Sequence, residues 1–182
     1  DDARLKFQAE LRDDLAGIAG VQATLTSHVP IRHPAGDPPM WSAKRSATDT
    51  SAQFPVLARI VAPGYFQTVG IPLVAGRDLT AADRRGTAQV MVIDEHMAGE
   101  FFPGLNPIGQ HVMAMGMVVG DVAPRDFEVV GVVGSARLNS VAGNVQATAY
   151  VSSYQFGMGR INVMLRTRLT AAAVTNTLRR LM

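Results

Sequence analysis

A chain of 182 residues with 47% hydrophobic and 18% charged side chains can bury a core without staples and is too apolar to be disordered. Its 17 basic residues stand against 15 acidic ones, and a net charge of +2 leaves no electrostatic footprint for nucleic acid. The absence of cysteine removes disulfides, thiolate nucleophiles and Cys-based zinc sites, and no apolar run approaches the roughly 18 residues of a membrane span.

Asp2 to Ile18 reads as an amphipathic helix with Phe7, Leu11, Leu15 and Ile18 on one stripe and Gly20 as its stop. Val21 to Val29 alternates apolar and polar residues, the pattern of a half-buried strand. Pro30 to Phe54 carries four prolines and the run Ser46-Ala47-Thr48-Asp49-Thr50-Ser51, so residues 30–54 are expected to form a long surface loop. Val56 to Ala62 is a predicted strand, after which Pro63-Gly64-Tyr65-Phe66 opens a short helical turn that Gly70 closes. Thr80 and Asp83 have the spacing of a capping box.

Gln89 to Ile93 is a compact apolar strand, with Asp94 placed to cap a helix from Glu95 to Phe102 that Pro103-Gly104 stops. Gln110 to Val119, Phe127 to Val133, Val145 to Ser152 and Ile161 to Arg166 all read as strands. A final helix starts at an N-cap on Thr170 and places Ala171, Val174, Leu178 and Leu181 on one stripe. Helix and strand at each end, with mostly strands between, predict a mixed α+β fold. The two end helices each need a sheet to cover, which predicts two lobes. Residues 1–60 and 136–182 form one of them, discontinuous in sequence, and residues 61–135 form an inserted one. The chain opens straight into one helix and stops inside another, so targeting and membrane segments are expected outside it.

The constellations that could carry chemistry each fall short. Val90-Met91-Val92-Ile93-Asp94-Glu95 has the form of a magnesium-holding Walker B strand. The phosphate-binding loop that must accompany it is missing, because neither Lys6 nor Lys44 follows a glycine. Gly131-Val132-Val133-Gly134 lacks the spacing of a dinucleotide loop, and a glycine inside a strand fits close backbone packing better. His28, His33, His96 and His111 are scattered over different segments, which argues against a metal. Ser135 has no visible triad partner, and Asp78, Asp83, Asp94 and Glu95 read as caps and solvated charges. Met113, Met115 and Met117 alternate along one strand; a core stripe is the plain reading and an adaptable apolar binding face the alternative. No catalytic residue, cofactor or metal site is expected.

From Ala62 onward an ordered set of short segments stands out. They are Val61-Ala62-Pro63-Gly64-Tyr65-Phe66, Gly70-Ile71-Pro72-Leu73, Gly76-Arg77-Asp78-Leu79, Val92-Ile93-Asp94-Glu95, Phe102-Pro103-Gly104, Asn106-Pro107-Ile108-Gly109, Phe127 to Gly134, and Ala149-Tyr150-Val151. In that order the set resembles the periplasmic core domain of MacB-like and FtsX-like ABC-transporter permeases. The wording is nearest to acidobacterial permeases that carry two such domains per chain. Two departures are visible: Asp94 stands where the family usually has Asn, and Ala149 and Ser152 flank the Tyr150 strand where the family often has proline.

The resemblance implies a porter-like α/β lobe with an inserted, mostly-β lobe, on the extracytoplasmic side of the cytoplasmic membrane. It implies flanking transmembrane helices in the same permease and, through them, a cytoplasmic ABC ATPase, with a periplasmic adaptor or second permease domain as a further partner. It implies no chemistry in this domain. The shared residues, Pro63, Gly64, Tyr65, Phe66, Gly76, Arg77, Pro107, Gly109, Gly131, Val132 and Tyr150, are types suited to turns and packing. A free-standing periplasmic domain that captures a ligand between its lobes is the alternative.

Overall fold

The computed structural model of the chain describes residues 2–29, 40–45, 54–115, 124–136, 146–170 and 174–175. In chain order the elements are α1 (Asp2–Ala16), β1 (Val21–Thr26), β2 (Met40–Lys44), β3 (Phe54–Val61), α2 (Tyr65–Val69), β4 (Leu73–Gly76) and β5 (Val90–Asp94). There follow α3 (Glu95–Phe101), β6 (His111–Met115), β7 (Arg125–Val133), β8 (Thr148–Ser152) and β9 (Asn162–Thr167). The fold is α+β, rich in strand and sparing in helix.

Six of the strands pair in a closed ring. β3 pairs β8 in parallel, β8 pairs β5 antiparallel, and β5 pairs β7 in parallel. β7 then pairs β6, β6 pairs β2, and β2 returns to β3, all antiparallel. Closure of this kind removes sheet edges and leaves an interior that side chains alone can fill. The alternate positions do so: Trp41 and Ala43, Val56 and Ala58, Met91 and Ile93, Val112 and Ala114, Phe127 and Val129, Ala149 and Val151 form one buried cluster. Inside it the Trp41 and Phe127 rings stack at 6.1 Å. Met97, Phe101 and Phe102 from α3 and its exit belong to the same cluster.

An outer layer joins the ring at one corner. β1 pairs β9 antiparallel over six residues but meets β3 at the single pair Thr26↔Val61. α1 lies on this pair, where Leu15, Leu25, Ala62 and Met158 make a separate small core.

Several expectations meet a different outcome. Within residues 30–54, expected as a surface loop, Met40–Lys44 is a strand whose Trp41 is 1% exposed; the remainder, including Ser46 to Ser51, lies outside the described residues. β4 was not anticipated either. Phe7 is 56% exposed, not on the buried stripe; its neighbour Gln8 is buried instead and donates from Nε2 to the Met158 carbonyl. Met113 and Met115 face away from the ring interior, which Val112 and Ala114 occupy, and are only half-buried. Met117, His33, Leu178 and Leu181 lie outside the described residues. The ladders β2–β6 and β5–β8 bring strands of the two end segments and of segment 61–135 into one sheet.

Candidate functional site

Pro63-Gly64 turns the chain out of β3, and Gly64 can do so because its φ of 81° is a left-handed conformation that side chains rarely adopt. α2 then lasts five residues before Gly70 closes it at φ 83°. So short a helix is not stable by its own hydrogen bonds, and burial of Tyr65 and Phe66 holds it. The Phe66 ring meets Tyr150 of β8 edge-on at 4.9 Å, and Tyr65 meets Tyr150 at 6.0 Å.

Beneath them lies Arg59, the register partner of Tyr150 in the β3–β8 ladder, with no exposed surface. It donates from Nη1 to the His28 carbonyl at 3.3 Å. Burial lowers the Arg59 pKa, against the pull of the two neighbouring tyrosines. Burial likewise raises that of Tyr65 and lifts that of Tyr150 well above the ordinary phenol. On its other side α2 packs against β1 and β9, and Arg166 donates from Nη1 to the Gln67 carbonyl at 3.2 Å. α2 therefore sits where the ring meets the outer layer.

A second group of the residues that carry the resemblance gathers where β4 joins β7. Gly76 and Gly131 are register partners, and neither has room for a side chain: a β-carbon on Gly131 would overlap the Arg77 carbonyl, and one on Gly76 the Val130 carbonyl. The β5–β7 register jumps from Val129 to Gly131, leaving Val130 as a bulge whose carbonyl accepts the Arg77 N–H at 2.9 Å. Val132 is buried in the main core. Pro107 and Gly109 form the turn into β6; Gly109, at φ 80°, donates its N–H to the Val129 carbonyl.

Arg77 grips Asp83 with two parallel hydrogen bonds of 2.8 Å, and Asp83 also accepts the Thr80 N–H at 2.7 Å, in the manner of the expected capping box. The hydrogen bond to Asp83 raises the Arg77 pKa. Burial pushes the Asp83 carboxyl up, but Arg77 and Thr80 outweigh it and hold it below the usual carboxylate range.

The remaining candidates stay apart. Asp94 caps α3 as expected, accepting the N–H groups of Met97 at 2.8 Å and Thr148 at 3.2 Å. Burial raises its pKa in spite of them. Burial also raises that of Asp78, which accepts the Leu79 N–H. Glu95 is exposed, and Ser135 accepts the His96 N–H at 2.9 Å. His96 pairs with Glu100 and His111 with Asp126, both at the surface. Among the described residues no three His, Asp or Glu side chains are placed to hold a metal ion. Sequence reasoning missed Arg59, whose only signal was a charge inside the apolar run from Val56 to Ala62. An open cleft of about 840 Å³ lies at the start of β1 and the end of β9, lined by residues 20–22 and 166–169.

The family model described as the MacB-like periplasmic core domain matches residues 4–181. The macrolide export ATP-binding/permease protein MacB of Mannheimia succiniciproducens is 33% identical over 85 residues, which are 47% of this chain and 12% of that protein. The chain thus spans only a small part of that relative's length. The periplasmic region of MacB from Actinobacillus actinomycetemcomitans superposes with a TM-score of 0.62 at 18% identity, over 96% of this chain and 72% of that one. The extracellular domain of the noncanonic ABC-type transporter YknZ from Gram-positive bacteria gives 0.59 at 21% identity, over 94% and 78%. These two likenesses concern the fold, and the profile match covers nearly every residue. The chain belongs to the family of MacB-like periplasmic core domains.

Proposed function

We propose that this chain is a non-catalytic extracytoplasmic domain of an ABC-transporter permease. It takes movement from flanking transmembrane helices, driven by a cytoplasmic ABC ATPase, and turns it into export or mechanical work. The observation that carries this reading is the outer layer: β1 and β9, from opposite ends of the chain, pair over six residues with α1 packed on them. Motion entering at either end meets the same layer. α2 lies between that layer and the ring, and the family residues Pro63, Gly64, Tyr65, Phe66 and Tyr150 build this junction. Gly76, Arg77, Pro107, Gly109, Gly131 and Val132 serve close packing and turns elsewhere in the sheet.

The two-lobed division, residues 1–60 with 136–182 around the inserted 61–135, belongs to the same proposal. The β2–β6 and β5–β8 ladders tie the segments together, so the lobes move as a coupled pair. A periplasmic adaptor or second permease domain is the partner on the far side. No described helix is long and apolar enough to cross a membrane.

Transport by the whole permease, normalised to folded protein in the membrane, tests the reading. Leu15→Ala should weaken transport, whereas Asp78→Asn and Asp94→Asn should leave it nearly unchanged. Loss of transport in either amide variant at an unchanged folded amount would mean that the domain handles protons or ions. The alternative is a free-standing periplasmic domain that captures a ligand between its lobes. The open cleft, lined by residues 20–22 and 166–169, lies within one proposed lobe and does not support it. A parent gene that encodes a secretory leader and no spans would select that alternative.

A further inference from the structure

Arg59, Tyr65 and Tyr150 form a polar knot that the fold seals on every side. All three have no exposed surface, and Tyr65 closes over the other two from α2. Among the described residues neither the Tyr65 nor the Tyr150 hydroxyl has a hydrogen-bond partner. An O–H group shut away from water without a partner costs the closed state free energy that a state in which water reaches it does not lose. The cover is suited to giving way. α2 is five residues long, and its flanking glycines both adopt left-handed conformations, at φ 81° and 83°. Around Gly64 a β-carbon would meet nothing within 4 Å, so the backbone there has room to turn.

We infer that α2 is a hinged cover that pivots at Gly64 and Gly70, and that the two unsatisfied hydroxyls bias it to lift from β8 and admit water. Burial of Phe66 against Tyr150 holds the closed state; hydration of both hydroxyls favours the open one. Because α2 also packs on β1 and β9, its position is felt by the outer layer. This inference concerns the chain alone and does not depend on the transport reading.

Amide hydrogen exchange on this chain tests it, read at Thr68, Gly70 and Ile71, whose N–H groups bond to the Gly64 and Phe66 carbonyls. Tyr150→Phe removes one orphaned hydroxyl and keeps the ring contacts. It should slow exchange at these three amides by about tenfold, the scale of one buried polar group regaining equality between states. Tyr65→Phe should do the same, and amides of the β6–β7 ladder should not change in either variant. Unchanged exchange at α2, or faster exchange from a hydroxyl that a buried water in fact satisfies, would overturn the inference. So would a slowing spread evenly over the ring, since that reports global stability and not a hinge.

Discussion

Strands β3, β5 and β8 are wholly apolar on one face and mixed on the other. Toward the ring they present Val56, Ala58, Met91, Ile93, Ala149 and Val151, all apolar and all enclosed by neighbours that also line the interior. Away from it the alternate positions mix the apolar Val61, Val90 and Val92 with Arg59, Asp94, Thr148, Tyr150 and Ser152, also buried, with α2 packed over part of them. The inner face is sealed by strand pairing that returns on itself. The outer face is covered by a five-residue helix and by a layer whose β1 meets β3 at one register pair and through two flanking backbone hydrogen bonds, Ser27 N–H to the Ile60 carbonyl and Ala62 N–H to the Leu25 carbonyl. Polar groups have been placed where the cover is the less firmly fixed part. The inner face carries the stability, and the outer face is where this fold can respond.

The largest expected effect tests the inner face. Phe127 touches both Trp41 and Phe156, at ring distances of 6.1 and 5.8 Å, and is fully buried. Phe127→Ala should lower unfolding stability by about 3–5 kcal/mol, read from urea denaturation, because a closed ring cannot collapse onto the cavity. Leu15→Ala in the outer layer should cost less, about 2 kcal/mol, at the low end for such truncations. Its neighbours Leu11, Ile18, Ala23 and Ile161 are only half-buried and can close over the gap. Equal losses from the two variants would erase the distinction between the faces.

Asp83→Asn comes next. It breaks the paired grip on Arg77, whose side chain is 47% exposed, so solvent screening limits the loss to about 1 kcal/mol at pH 7. The folded-state pKa of Asp83 lies below its unfolded value. Its contribution is therefore complete above the unfolded carboxylate pKa and disappears as pH falls through the lowered folded one. Thermal midpoints of wild type and variant should converge in acid and separate toward neutrality. A gap that widens in acid would mean the Arg77 pair is not what Asp83 contributes.

The parts of this fold that were legible in sequence are those fixed by neighbours along the chain. The Asp94 cap, the Gly64 and Gly70 turns and the Thr80–Asp83 box each join residues within six positions, and the structure has all of them. What escaped depends on distant partners. β2 offers only Trp41 and Ala43 as an alternating pair after two prolines, and it becomes a strand because β3 and β6 supply both its ladders. β4 is exposed along its length and has no apolar alternation to read. In β6 both faces are apolar, Val112 and Ala114 against Met113 and Met115, so the pattern could not say which faced inward. The close approach of Gly76 and Gly131 joins residues far apart in sequence, and each alone suggested only a glycine in a strand. Arg59 was invisible as a site because its partners, Tyr65 and Tyr150, are gathered by α2 and β8.

The smallest effect separates two buried acids that look alike in sequence. Asp94 caps α3 through two backbone N–H groups, and an Asn carbonyl can accept the same pair, so the cap itself survives Asp94→Asn. What changes is charge. Burial raises the Asp94 pKa above its unfolded value, with the Met97 and Thr148 N–H groups, nearby His96 and Ser135 opposing that rise and Tyr150 packed on the same sheet face. A carboxyl whose folded pKa is raised costs stability above that pKa and stops costing as pH falls below the unfolded value near about 4. Asp94→Asn should therefore stabilise the chain at pH 7 by under about 1 kcal/mol, and the gain should fade as pH drops toward 4. That slope is opposite in sign to the one expected of Asp83→Asn. Thermal midpoints of both variants across pH 3.5–8 (a range spanning the ordinary carboxylate pKa of about 4) compare them directly. If Asp94→Asn destabilises at neutral pH and the loss shrinks in acid, Asp94 is held as an anion by a cationic neighbour. The polar outer face would then be a settled ion-pair network and not the responsive half of the fold.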